Sequence, residues 1–224
     1  MQKKLLVNPD VNALIWSVMH SHTSYGYTLI KRLVDIISAI SGIVILFPLF
    51  VLISIAIKLD SQGPIFFIQK RCGKNEKLFN MYKFRSMCID AEEKLEQLQH
   101  LNETEGIMFK IKDDPRLTRV GKFIRKTSLD EFPQLVNVLK GEMSLVGPRP
   151  PLPNEVEEYI SWQMLRLSVK PGLTGLWQIR GRSELGFDEM VRLDLEYIAK
   201  RNFFYDIWII LKTIPVVFKS RGAY

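Results

Sequence analysis

The sequence predicts an α-rich α+β protein: one long membrane helix, a compact soluble domain holding a short β-hairpin, and amphipathic helices lying at an interface. Three observations carry that reading. Residues 36–57 run for 22 positions without a charge. Two short apolar or aromatic runs, 65–69 and 78–84, flank a polar, glycine-containing segment at 71–77. The remainder shows helical periodicity punctuated by proline and glycine.

Composition agrees. Hydrophobic residues make up 47% and charged residues 25% of 224, which supplies a core and argues against disorder. A formal net charge of +7 suits nucleic acid, anionic lipid or phosphorylated substrates without choosing among them. Cys72 and Cys88 are no disulfide framework and read as reduced cytosolic thiols. His20, His22 and His100 form no metal-type cluster with them.

The chain divides into an extension (1–27), a membrane segment (28–60) and a soluble domain (61–224). Within the extension, residues 11–19 form a short interfacial helix. The uncharged run would span about 33 Å as a straight helix, enough to cross a bilayer. Pro48 lies near its middle and predicts a kink. Lys31 and Arg32 precede the run; Lys58, Lys70, Arg71, Lys74 and Lys77 follow it. Positive flanks prefer the cytoplasm. Two topologies fit: a helix that bends near Pro48 and returns to the same side, and an ordinary kinked span. Asp35 is four residues from Lys31 and three from Arg32, spacings that pair side chains on a helix. It is either a paired anchor that fixes helix depth or a solvated carboxylate at headgroup level.

In the soluble domain, residues 61–64 make a turn and the two apolar runs make the hairpin. Residues 90–101 form a helix with Asp90 as N-cap and Ala91, Leu95, Leu98 and Leu101 as its apolar stripe. Residues 102–106 form a loop, and 109–125 are densely basic. A second helix covers 130–140 and stops at Gly141. Four prolines between 148 and 153 break regular structure before a third helix at 154–168 and a fourth at 188–200. The apolar stretch 203–218, interrupted by Asp206, Lys212 and Pro215, is short for a span. It forms either an interfacial helix or a core-packing one.

The chemistry concentrates at residues 126–134. Pro133 is tolerated only in a first helical turn, so that helix begins near Leu129 or Asp130. Asp130 and Glu131 therefore sit where free N–H groups and the helix dipole favour negative charge, which predicts an ionised Asp130. Such a carboxylate can attack phosphorus as a nucleophile, and the adjacent pair can hold Mg²⁺. Acidic residues in a first turn also serve as simple caps. What favours chemistry is the surrounding cations: Arg125, Arg149 in a rigid Gly-Pro-Arg-Pro turn, and Lys83 and Arg85 in Lys83-Phe-Arg-Ser-Met87. These suit phosphate oxygens.

Together these stretches resemble the bacterial sugar transferase family, the polyprenyl-phosphate hexose-1-phosphate transferases also called monotopic phosphoglycosyl transferases. The resemblance rests on Lys31-Arg-Leu-Val-Asp35, the proline-broken helix, Lys83-Phe-Arg-Ser-Met87, Asp114-Pro-Arg116, Thr127-Ser-Leu-Asp-Glu131, residues 143–150 and Lys170-Pro-Gly-Leu-Thr-Gly175. They occur in family order over about residues 28–218. The resemblance implies a re-entrant helix anchored through Lys31, Arg32, Asp35 and Pro48, in the bacterial inner membrane, with the catalytic domain facing the cytoplasm. It implies that Asp130 attacks the β-phosphate of a UDP-sugar, releasing UMP, and that the phosphosugar then passes to polyprenyl phosphate. Glu131 would assist with Mg²⁺ or protons, and Lys83, Arg85, Arg125 and Arg149 would serve the phosphates. Phe47 stands where the family often has serine before the proline. The segment around Trp177 to Glu184 and Ser183 after Gly181-Arg182 resemble members that use galactose or glucose rather than N-acetylated sugars. The expected partners are a UDP-sugar, polyprenyl phosphate and membrane lipid, with a homodimer as a candidate assembly and no nucleic acid. The competing readings are a non-catalytic membrane adaptor and a membrane-anchored nucleic-acid binder; recognisable nucleic-acid motifs are missing from the sequence.

Overall fold

The computed structural model describes residues 9–21, 23–98, 100, 102, 111, 113–182 and 185–218. The chain opens with α1 (Pro9–Met19) and α2 (Tyr25–Asp60). Ser24 starts α2 by accepting a hydrogen bond from Gly26 N at 3.2 Å. The uncharged run is thus the middle of a 36-residue helix, long and apolar enough to cross a membrane, which continues through Pro48. Around the proline, Val44, Ile45 and Phe47 are exposed, Ile45 by 74%. Such apolar exposure calls for a non-aqueous surrounding. The buried positions of α2 lie at Asp35, Ala39, Ile53 and Ile57, on both sides of Pro48. Ala39 packs with Met81 and Leu135, and Ile53 and Ile57 pack with Phe84 and Ile124.

Asp35 is neither paired with Lys31 or Arg32 nor solvated. It is 4% exposed and accepts hydrogen bonds from Leu145 N at 2.9 Å and Ser144 Oγ at 3.1 Å. Lys31 instead pairs with Asp206 at 2.8 Å. Arg32 donates to Val138 O and Leu139 O, at 2.6 and 2.7 Å. Tertiary partners win because a buried carboxylate needs donors, and backbone carbonyls at a helix end need a cation.

The hairpin forms as expected. Strands β1 (Phe66–Cys72) and β2 (Leu78–Phe84) pair antiparallel, from Phe66 opposite Phe84 to Cys72 opposite Leu78. Helix α3 (Glu93–Gln97) is shorter than expected. Asp90 precedes it and pairs with Lys94 at 2.6 Å, so its carboxylate serves a side chain instead of capping a long helix. Residues 103–106 of the expected loop and positions 109, 110 and 112 of the basic stretch lie outside the described residues. Helix α4 (Arg119–Lys126) is capped by Thr118 Oγ1, which accepts from Gly121 N at 2.9 Å.

A six-residue 3-10 turn, Leu129–Gln134, leads into α5 (Leu135–Lys140). Gly141 ends α5 with φ 80°, the left-handed geometry that favours glycine. Two short strands, β3 (Ser144–Val146) and β4 (Gly172–Thr174), pair in parallel. The sequence reading contained neither. Between them, α6 (Pro153–Glu157) and a separate 3-10 turn (Gln163–Ser168) replace the single expected helix at 154–168. Arg166, in the 3-10 turn, is fully buried and is held by Asp194 and the Tyr159 hydroxyl. Helices α7 (Leu176–Arg180), α8 (Phe187–Lys200) and α9 (Phe203–Phe218) complete the chain. Their core gathers Val146, Leu176, Met190, Val191, Leu195, Ile198 and Ile209. Helix α9 packs into the core through Asp206 and Ile209 and leaves Phe204, Leu211 and Ile214 exposed.

Candidate active site

The carboxylate pair is presented by a backbone that cannot be a regular helix. Ser128 adopts φ 57°, which breaks α4 from the following turn. Pro133 has no N–H to donate, and the residues from Leu129 to Gln134 wind as a 3-10 turn. This turn packs against β2. Lys83, near the end of β2, thereby reaches Glu131, with Nζ 2.8 Å from Oε1.

Asp130 is 6% exposed. Burial is the largest influence on its carboxyl and raises its pKa to about 6; Lys83 and Arg125 oppose the rise, and Glu131 adds to it. Asp130 is thus ionised at neutral pH as expected, but its pKa moves opposite to what a helix N-terminus predicts, because desolvation outweighs the short turn. Burial also opposes ionisation of Glu131, but Lys83, Arg182 and Arg125 outweigh it and hold that carboxyl below its usual range. Two adjacent carboxyls are pushed apart in pKa, an arrangement found where acid and base roles divide.

A cleft opens at Glu131, lined also by Arg71, Lys83, Gln134, Arg149 and Trp177 among others, and Asp130 lies behind it without lining it. Arg149 is fixed by its proline neighbours and by Glu155, to which it donates at 2.9 and 3.2 Å. Glu155 also accepts from Leu152 N at 2.8 Å. The Gly147–Pro151 turn is tied to its surroundings by Gly147 N to Thr174 O and Cys72 N to Pro151 O, each 2.9 Å. Gly147 and Gly172 have no substitute here, since a Cβ on Gly172 would lie 2.0 Å from Gly147 N.

Lys83, Glu131 and Arg149 thus share the cleft, and Arg125 influences both carboxyls from the last turn of α4. Arg85 does not line the cleft. Its guanidinium is buried against the loop after α2, donating to Gln62 O at 2.5 Å and to Ser61 O and Oγ at 2.9 Å. Lys31, Arg32 and Asp35 tie α2 to the soluble domain.

Four residues at or near the site escaped the sequence reading in that role: Arg71, Gln134, Trp177 and Arg182. Arg71 sits at the end of a strand among other cations, and only side-chain alternation separates it from Lys70. Arg182 has φ 52° and donates to Ser128 Oγ at 3.1 Å, which places its charge by both carboxyls.

Among the described residues, no group of three or more His, Cys, Asp or Glu side chains is arranged to hold a metal. Asp130 and Glu131 alone offer two hard oxygen donors. That set fits Mg²⁺, which commonly takes one or two carboxylates and completes its shell with water and substrate phosphates.

Comparison with known proteins shows the family. The profile of the bacterial sugar transferase family matches residues 26–220. The galactosyl transferase CpsE of Streptococcus agalactiae is 50% identical over 200 residues, covering 89% of this chain and 44% of that protein. An undecaprenyl-phosphate galactose phosphotransferase of Salmonella typhimurium is 44% identical, covering 87% of this chain and 42% of that protein. The exopolysaccharide production protein ExoY of Rhizobium meliloti is 41% identical, covering 87% and 88% respectively. The chain thus spans less than half of the first two relatives and most of the third.

Proposed function

The chain belongs to the bacterial sugar transferase family, and from that premise we propose that it moves a hexose-1-phosphate from a UDP-sugar to undecaprenyl phosphate, releasing UMP. The observation that carries this reading is Asp130, a buried carboxylate beside a cleft whose walls supply Lys83 and Arg149. In its ionised form an oxygen of Asp130 attacks the β-phosphorus of the donor. The bond from that phosphorus to the bridging oxygen breaks, and UMP leaves. An oxygen of the lipid phosphate then attacks the same phosphorus, freeing the Asp130 carboxylate and giving a lipid diphosphosugar. Lys83, Arg125 and Arg149 stabilise the negative charge that develops during each displacement. Glu131 assists through metal binding or proton handling beside the nucleophile. Asp130 and Glu131 would hold Mg²⁺, which when bound neutralises the diphosphate.

The donor is galactose or glucose by the resemblance around Trp177, and two of the relatives above carry galactose in their names. An N-acetylated donor with the same chemistry is the alternative. Such a transfer initiates a surface polysaccharide, a role that fits the name of the R. meliloti relative. The membrane reading rests on α2. Its buried residues on both sides of Pro48 pack on one soluble body, Ala39 near Met81 and Ile57 near Phe84, while the apolar middle is bare. A helix held at both ends by one body favours re-entry near Pro48 over a crossing, with the catalytic domain on the cytoplasmic face of the inner membrane.

The test is UMP release from UDP-galactose and UDP-glucose, with undecaprenyl phosphate and Mg²⁺, for the wild type and Asp130→Asn. Turnover that requires the lipid phosphate and vanishes in the variant supports the reaction. If these and N-acetylated donors all fail with a folded, membrane-bound sample, the adaptor reading replaces it.

A further inference from the structure

We propose that Arg71 is the second half of a two-guanidinium clamp, with Arg149, for the diphosphate of the nucleotide-sugar donor. The inference rests on the transfer reaction proposed above and names a side chain that takes the donor's anionic group.

Arg71 stands at the end of β1, 8% exposed, in the wall that also holds Lys83, Glu131 and Arg149. Its hydrogen bonds all go to neutral acceptors. Nε and Nη2 donate to Gln69 Oε1 at 3.0 and 2.6 Å, and Nη1 donates to Pro150 O at 2.9 Å. Three of the five guanidinium N–H groups are used in this way, which leaves two. Among the described residues, no carboxylate forms an ion pair with Arg71. Glu155, the carboxylate with the strongest favourable influence on it, is gripped by both Nη atoms of Arg149. Glu131, the other carboxylate that favours the charge of Arg71, is paired with Lys83.

A buried cation without its own counter-charge is disfavoured. Accordingly, burial first and Arg149 second pull the Arg71 pKa down to about 9. Nothing in the packing obliges an arginine here: Gln69 and Pro150 would be satisfied by a neutral donor. The arrangement instead holds a rigid, charged fork where only an anion from outside can neutralise it. Cys72 N to Pro151 O, at 2.9 Å, couples the end of β1 to the Arg149 turn, so the two forks keep a fixed relation. Each fork matches the oxygens of one phosphoryl group, and a pair matches two linked phosphoryl groups.

The experiment measures binding of UDP and of UMP, with Mg²⁺, to the full chain in nanodiscs, for the wild type, Arg71→Gln and Arg71→Lys. Neither nucleotide carries a transferable sugar, so turnover does not interfere. The wild type is expected to prefer UDP to UMP by about tenfold or more. Arg71→Gln should weaken UDP by about tenfold and UMP by less than about threefold, collapsing that preference. Arg71→Lys keeps the charge but loses the fork and should fall between. It decides the matter by the same UDP-to-UMP ratio if the glutamine variant fails to fold. Variants that keep the wild-type ratio overturn the clamp, as does a wild type that binds UDP and UMP equally. In both cases the transfer reaction stands. A wild type that binds UDP, UMP and UDP-sugars not at all overturns both readings.

Discussion

Lys83 and Glu131 come from a strand and a 3-10 turn separated by 47 intervening residues, yet their charged atoms meet at 2.8 Å beside Asp130. This pair sets the electrostatics of the site. Lys83 opposes the rise in the Asp130 pKa and is the main influence that keeps Glu131 ionised.

Removing that ammonium should be costly. Lys83→Met leaves two like-charged carboxyls beside each other, and kcat/KM should fall by about tenfold to a hundredfold. The acid limb of the pH profile should move upward by about one unit. Initial rates of UMP release across a pH series give both quantities. An unmoved limb would show that Lys83 does not govern Asp130.

The raised Asp130 pKa has two pH effects of opposite sign. The nucleophile must be ionised, so activity should be full above about pH 6 and fall about tenfold per unit below it. Stability runs the other way. A carboxyl whose pKa rises from 3.8 to about 6 on folding favours the folded state when protonated. Its contribution is fully present below pH 3.8 and is lost as pH rises through about 6. Thermal unfolding of the wild type and Asp130→Asn in parallel should show the difference growing in the variant's favour over that window. A constant difference would contradict it.

Asp35 satisfies two donors from the β3 strand, Ser144 Oγ and Leu145 N. Asp35→Ala should cost about 1–3 kcal/mol through the stranded donors. Asp35→Asn keeps an acceptor oxygen and should cost less. Unfolding midpoints in detergent distinguish the two, and equal midpoints would remove this role.

Arg166 and Asp194 form a fully buried ion pair at 2.5 Å. Arg166 also donates to the Tyr159 hydroxyl and to Arg149 O, which links the pair to the cleft. Asp194→Ala leaves a buried cation unpaired and should destabilise by about 3–5 kcal/mol. Limited proteolysis and thermal unfolding measure this, and near-wild-type resistance would refute it.

Much of this protein is determined by local sequence. The uncharged run makes α2, because 22 residues without a charge leave no place in water for a helix of that length. The polar segment between two apolar runs makes the β1–β2 hairpin, and Pro133 keeps Asp130 and Glu131 out of the regular helix that begins at Leu135, in a 3-10 turn instead of the first turn the sequence predicts. These outcomes depend on spacing over a few residues, which the chain carries wherever it packs. Tertiary structure decided the rest. It buried Asp130 and so reversed the direction of its pKa; it gave Asp35 to β3 and Lys31 to α9; it turned Arg85 toward the loop after α2 and brought Arg71 beside Arg149. The physical reason is common to all five residues. Charge pairing and desolvation depend on which surfaces meet across long sequence separations, and no local period encodes that meeting.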